Sequence, residues 1–182
     1  MLGMIFTNLV EMIETEVSLE IADAILSEAE LSTAGAYTAV GDYPFSDILT
    51  IVTSLSKKTN TPVNELIFSF GEYLFGKLIA AHKNMISVHA SLIDVLAQLD
   101  SNIHVEVKKL YPNATLPSFT VLEKTVDSIS LVYQSPRQLD TLAVGLISGG
   151  AKHFGIEVDV IRTAISTDPY KVKIDVKILE PA

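Results

Sequence analysis

The segment Phe119–Tyr133, with the sequence FTVLEKTVDSISLVY, determines the fold class. Apolar residues alternate with polar ones at both of its ends, most clearly at Ile129, Leu131 and Tyr133. This period of two is typical of β-strands, whose successive side chains point to opposite faces. Asp127-Ser128 supplies turn-forming residues between the two runs, so the segment predicts two strands joined by a turn.

The hydrophobic pattern differs on the two sides of this segment. Before it, apolar residues recur at steps of three and four, as in the run Met4–Val17, which predicts a series of helices. Ser46 is expected to cap one of these helices. After it, the pattern predicts a helix over Thr141–Phe154 and two more strands, centred on Val158 and Ile174. Helices followed by a strand-rich end indicate an α+β fold.

Composition excludes several classes of function. The chain has 182 residues, 22 of them acidic and 13 basic, and its net charge of -9 argues against nucleic-acid binding. It contains no cysteine, so disulfides, thiolate metal sites and a cysteine nucleophile are ruled out. The sequence shows neither a signal peptide nor an uncharged run near the ~20 residues that a membrane span needs, and we expect a cytoplasmic protein.

Four histidines are present, and none of them pairs with another at metal-site spacing on a helix. The residues next to His82 and His153 favour a surface position, and His89 fits either a surface or a half-buried one. His104 has Asp100 and Lys108 one helical turn away on either side. Taken alone, this setting favours an ordinary hydrogen-bonded helix histidine over a metal ligand.

Tyr133, Ser135 and Arg137 stand at alternate positions at the end of a predicted strand. A phenol, a hydroxyl and a guanidinium on one side would form a donor set suited to carboxylates or phosphates. A strand that ends in a turn at Pro136 explains the same residues equally well. No nucleophile elbow, phosphate-binding loop or dinucleotide fingerprint is present, so an enzyme is poorly supported.

Segments along nearly the whole chain resemble the haem-nitric oxide/oxygen-binding (H-NOX) family, in order and spacing. They are MLGMIF at the start, Pro62–Leu66 (PVNEL), Phe70–Phe75 (FGEYLF), Ile103–Pro112 (IHVEVKKLYP), Leu116–Phe119 (LPSF), Tyr133–Arg137 (YQSPR), Gly145–Ile147 (GLI) and His153–Gly155 (HFG). The resemblance to stand-alone bacterial members implies a single domain. It would have a helical N-terminal lobe over about 1–62, and a haem-ligating lobe with a four-stranded antiparallel sheet over about 63–182. Haem b would lie between the lobes.

The same resemblance implies roles for individual residues. His104 falls on the histidine that ligates haem iron, and Tyr133, Ser135 and Arg137 fall on the signature that binds the haem propionates. Pro117 matches the proline that presses on the porphyrin. The pocket-lining positions of the family fall on or near Met1, Ile5, Leu74, Leu78, Leu142 and Leu146.

Leu142 determines which gas is expected. It stands where oxygen-binding members of the family carry a distal tyrosine. A hydrogen bond to the charge that oxygen acquires contributes about 1.5–3 kcal/mol, and a leucine cannot supply it. We therefore expect nitric oxide and carbon monoxide as ligands rather than oxygen. Tyr73, next to Leu74, would change this expectation if its hydroxyl turned into the pocket.

The resemblance also implies how the signal is passed on. The sequence shows no output domain, so signalling would act in trans on a histidine kinase or a diguanylate cyclase. Without cysteine the chain cannot build the zinc site that some bacterial members carry. Two alternatives stay open at this point: an oxygen-binding haem sensor, and a haem-free module in which Tyr133, Ser135 and Arg137 grip an organic anion.

Overall fold

The computed structural model describes residues 1–81 and 90–179. Seven α-helices lie within these ranges: α1 (Gly3–Met12), α2 (Leu19–Glu28), α3 (Phe45–Thr59), α4 (Val63–Ala81), α5 (Leu92–Ala97), α6 (His104–Leu110) and α7 (Asp140–Phe154). Short π-helical turns, Ile13–Val17 and Leu99–Ile103, follow α1 and precede α6. His82 and His89, whose surface or half-buried positions were predicted, lie outside the described residues.

The helix boundaries follow local capping chemistry. The Ser18 hydroxyl accepts hydrogen bonds from the first amides of α2, and Ser91 with Asp94 forms a capping box at α5. The prediction that Ser46 caps α3 is wrong. That helix begins at Phe45, two residues before the start that a cap at Ser46 would give, and its N-cap residue Pro44 makes no side-chain capping bond.

The helical core lies among α1, α2, α3 and the first half of α4. Its fully buried side chains include Phe6, Ile51 and Leu55. Asp47 is buried with them, and it accepts hydrogen bonds from the Ser32 hydroxyl (2.6 Å) and the Tyr37 hydroxyl (2.9 Å). Burial alone would raise the pKa of Asp47, but these bonds hold it below the ordinary value. The carboxylate therefore stays charged inside the helical core.

The predicted strands are confirmed, and they form one antiparallel sheet of four in the order β1-β2-β4-β3. The strands are β1 (Ser118–Lys124), β2 (Ser128–Gln134), β3 (Val158–Thr167) and β4 (Tyr170–Ile178). Alternate residues of β2 are buried against α5 and α7, as the period of two predicts. The edge strands β1 and β3 each carry a register irregularity. The predicted α+β architecture is thereby confirmed.

Helices α4 and α7 cross with their backbones in contact. A β-carbon on Gly145 would lie 2.2 Å from the Phe68 carbonyl oxygen, and one on Gly149 would lie 2.7 Å from that of Glu72. Gly145 and Gly149 therefore allow the two helices to pack closely. Glu72 of α4 also accepts a hydrogen bond from Ser148 (2.7 Å) and pairs with Lys152 (2.7 Å) on α7. The helical core extends past residue 62 into α4. The expected boundary between the two lobes at that residue therefore stays a prediction.

None of the described helices is both long and apolar enough to cross a membrane.

Gly145→Ala should destabilise the fold, because the new methyl group meets backbone atoms that cannot rotate away. We expect a loss of about 1–3 kcal/mol in the free energy of unfolding, measured by urea denaturation. Gly76→Ala is the matched control, since no atom lies within 4 Å of a β-carbon there. That variant should be as stable as the parent or slightly more stable. Equal stability of the two variants would mean that the helix contact is looser than described.

Candidate functional site

A cavity of about 270 Å³ lies between the helical core and the sheet. Its volume is close to the lower end of the range for small-molecule sites, roughly 300–1,000 Å³. Every site residue predicted from the sequence lines it, namely Met1, Ile5, Leu74, Leu78, His104, Pro117, Tyr133, Ser135, Arg137, Leu142 and Leu146. The structure thus brings together side chains that are far apart in the chain.

His104 is the first residue of α6 and stands on one wall of this cavity. Its Nδ1 atom lies 2.8 Å from Oδ1 of Asp100. A carboxylate can only accept, so Nδ1 carries the proton and the lone pair on Nε2 is left for a metal ion. Oδ2 of Asp100 accepts a hydrogen bond from the Phe119 amide (2.8 Å), which ties the carboxylate to β1. The imidazole is therefore oriented by a fixed group.

Tyr133 is buried on the inner face of β2, and burial raises the pKa of its phenol. Its hydroxyl oxygen accepts a hydrogen bond from the Leu139 amide (3.0 Å). That bond uses an acceptor site and leaves the hydroxyl proton available for donation. Tyr133 can therefore donate to an anion in the cavity.

Ser135 and Arg137 lie beyond the end of β2, in the loop that leads to α7. The Ser135 hydroxyl accepts from the Arg137 amide (3.2 Å), which closes a small turn and replaces the strand alternation that the sequence suggested. The Arg137 guanidinium donates through Nη1 to the Thr115 carbonyl (2.7 Å). A guanidinium has five donors, so several stay available for a ligand. Together with Tyr133 these residues form a donor set beside His104.

The start of the chain, α4 and α7 contribute the apolar wall of the cavity. Its residues are Met1, Leu2, Met4, Ile5, Leu74, Phe75, Leu78, Ile79, Leu142, Ala143, Leu146 and Ile147. None of these side chains carries a hydrogen-bond donor. Within the described part of the chain, the side chains of this wall therefore offer no donor to a bound gas.

The hydroxyl of Tyr73 would be a donor if it turned into the cavity, but Tyr73 is not among the lining residues. It is packed at the helical core, and Nζ of Lys77 lies 5.1 Å from the centroid of its ring. Lys77 in turn pairs with Glu11 of α1 (2.6 Å). These contacts hold the ring of Tyr73 at the junction of α1 and α4 instead of in the cavity.

Several functional residues were missed by the sequence analysis. Asp100 was noted as a neighbour of His104, but its bond to Phe119 joins residues that only the folded chain brings together. The ring of Phe119 stands between His104 and Tyr133, with centroids 5.9 Å and 5.4 Å away. Tyr111 and Thr115 also line the cavity near this wall. Tyr111 lies within the family-like segment Ile103–Pro112, but the resemblance implied no role for either residue.

The donor set fits a haem. A single imidazole with a free Nε2 suits an axial position on iron, and a haem also presents two carboxylates that need donors when they are partly buried. Tyr133, Ser135 and Arg137 offer donors of that kind in the cavity that His104 also lines. The apolar lining suits the porphyrin faces.

Comparison with known proteins points to one family. The family model described as haem-NO-binding matches residues 2–162. No curated protein matches the chain. Among solved structures, the Fe(II) unliganded H-NOX protein from K. algicida is 32% identical, covers 100% of this chain and 98% of its own, and has a TM-score of 0.91.

Two further H-NOX structures that resemble this chain are in gas-ligated states. An H-NOX protein from S. oneidensis in the Fe(II)NO state is 25% identical, with coverage of 99% and 100% and a TM-score of 0.89. The H-NOX domain from Shewanella oneidensis in the Fe(II)CO state is 24% identical, covers both chains fully (100%) and has a TM-score of 0.88, which shows the shared fold. H-NOX domains are haem-based gas sensors rather than enzymes. With its fold, its cavity and a family match over most of its length, this chain belongs to the haem-NO-binding (H-NOX) family.

Proposed function

We propose that the chain holds haem b through His104 and senses nitric oxide. The observation that carries this proposal is the composition of the cavity lining, which has one oriented imidazole and, within the described residues, an apolar wall whose side chains carry no donor. When bound, a ferrous haem would supply an iron centre that takes up a diatomic gas. Tyr133, Ser135 and Arg137 would hold its two propionates, and Pro117 would contact the porphyrin.

The apolar wall supports nitric oxide and carbon monoxide over oxygen. Stable oxygen binding depends on a donor for the charge that oxygen acquires, worth about 1.5–3 kcal/mol, whereas nitric oxide needs none. Leu142 stands at the position of the distal tyrosine in oxygen-binding relatives, and it lines the cavity here. The same wall excludes water, since none of its side chains can bind it.

His104 is also well placed to report on the ligand. Asp100 links its imidazole to the amide of Phe119, next to Ser118 at the start of β1 and two residues from Pro117. A displacement of the imidazole would therefore move the edge of the sheet. In line with the family resemblance, we propose that a shift between the helical core and the sheet is read in trans by a histidine kinase or a diguanylate cyclase. A cytoplasmic location stays a prediction.

The absorption spectrum of the ferrous protein tests the cofactor and the gas together. We expect a Soret band after reconstitution with haem, and a shift to that of a five-coordinate nitrosyl on addition of nitric oxide. His104→Ala should lose haem during purification and regain it with added imidazole, because the cavity remains while the axial ligand is gone. No Soret band in the parent protein would exclude the proposal.

Leu142→Tyr tests the choice of gas. A phenol on the apolar wall would add the missing donor, so the ferrous variant should form an oxygen complex in air that persists long enough to record. The expected gain in oxygen affinity is about tenfold or more. Leu142→Phe is the matched control, because it has the same ring without the hydroxyl and should gain nothing. Stable oxygen binding by the parent protein would contradict the assignment.

The pKa of Tyr133 predicts a pH limit for haem retention. Only the neutral phenol can donate to a propionate, and burial raises its pKa above the ordinary value of 10.0. Its contribution to haem retention is therefore complete below pH 10.0 and disappears as the pH rises through the raised value. Haem dissociation, followed by transfer to an acceptor protein, should accelerate in that range. Tyr133→Phe should dissociate faster at all pH values and lack this step.

A further inference from the structure

A compact polar cluster lies at the start of α7, outside the lining of the cavity. Asp140 is the first residue of that helix, and its side chain is 13% exposed. Oδ2 accepts from Nη1 of Arg162 on β3 (2.7 Å), and Oδ1 accepts from the hydroxyl of Tyr170 on β4 (2.7 Å). The same Nη1 donates to the Thr141 hydroxyl (2.8 Å). These bonds fasten the first turn of α7 to the β3–β4 hairpin.

The start of α7 has little else to hold it. Its N-cap residue is Leu139, which makes no side-chain capping bond. The preceding residue, Gln138, has a positive φ of 52°, an unfavourable conformation for a residue with a side chain. Its amide makes a long hydrogen bond of 3.4 Å to the Ser135 carbonyl. A helix start without a cap, after such a residue, needs outside support.

That start is the part of α7 that meets the candidate haem site. The amide of Leu139, directly before Asp140, donates to the Tyr133 hydroxyl at 3.0 Å. Two residues after Asp140, Leu142 lines the apolar wall. One short stretch of backbone therefore sets both the hydrogen bonding of Tyr133 and the position of Leu142.

We propose that Asp140 is a positioning residue for the haem site. By fastening the start of α7 to Arg162 and Tyr170, it keeps the Leu139 amide on the acceptor side of the Tyr133 hydroxyl and directs the hydroxyl proton into the cavity. This inference rests on the proposed function, since the anion that would accept the hydrogen bond from Tyr133 is a haem propionate. Asp140 itself does not touch the haem.

The test compares Asp140→Asn with Asp175→Asn. Asp175 is the matched control. Its carboxylate also accepts a hydrogen bond from a hydroxyl, that of Ser130, and pairs with a cation, that of Lys173, but it makes no such contact with α7. Two quantities are measured. The first is the hydrogen-exchange protection of the Leu139 amide in the haem-free protein, relative to amides of β2. The second is the rate of haem dissociation from the reconstituted protein.

In Asp140→Asn we expect the protection of Leu139 to fall roughly tenfold while that of β2 is unchanged, and haem dissociation to accelerate by about five- to tenfold. Resonance Raman should show altered propionate bands with an unchanged iron–histidine band. Asp140→Glu, which keeps the carboxylate, should restore part of the haem retention. Asp175→Asn should match the parent protein in all of these measurements.

Two results would overturn the inference. One is equal behaviour of the two variants. The other is a loss of protection spread evenly over β2 and Leu139, because Asp140 would then support the fold alone. If the parent protein takes up no haem, the proposed function fails, whereas the exchange measurement on Leu139 still decides whether Asp140 positions the backbone beside Tyr133.

Discussion

The contact between α4 and α7 is the constraint on which the other features depend. Gly71 and Gly145 let the two backbones meet, and a side chain on either residue would collide with main-chain atoms of the other helix. Each helix then contributes to the apolar wall of the cavity, through Leu74 and Leu78 on α4 and Leu142 and Leu146 on α7. A wider separation would change the width of the cavity, and with it the fit of a flat ligand.

The polar wall is built in a different way. Its polar side chains are those of His104 at the start of α6, Tyr133 near the end of β2, and Ser135 and Arg137 in the loop after β2. Hydrogen bonds fix several of these groups. Asp100 serves His104 and Phe119 at once, and the Ser135 hydroxyl fixes the turn that carries Arg137. The two walls can therefore respond differently when a ligand is bound.

Much of this architecture could be predicted from the sequence, for physical reasons. A strand buried on one face must alternate, so Ile129, Leu131 and Tyr133 identified β2 and its inner face. The family resemblance then gave the expected lining residues, some inside contiguous family-like segments and others, such as Leu78 and Leu142, by counting along the helix from those segments. The pairing of β2 with β4 and the exact ends of the helices were harder to predict from the sequence, since both depend on neighbours distant in sequence.

The residues that escaped prediction share one property: their roles arise from contacts between distant segments. Asp100 and Phe119 are 19 positions apart, and Asp140 meets Arg162 and Tyr170 across a similar gap of 22 and 30. Tyr73 is a related case. Its neighbour Leu74 lines the cavity. The position of the phenol follows only from the contact of its ring with Lys77, which in turn pairs with Glu11. Hydrophobic periodicity gives the face of an element and carries no information on such pairs.

The irregularities of the two edge strands affect how other molecules can approach. Register shifts interrupt β1 between Val121 and Glu123, and β3 between Ala164 and Ser166. Within the described part of the chain, neither edge presents an unbroken row of backbone donors and acceptors. Each irregularity shortens the length over which a second polypeptide can extend the sheet in register, although Ile161 and Ile165 are exposed on β3. The bulges therefore disfavour edge-to-edge pairing of these exposed strands.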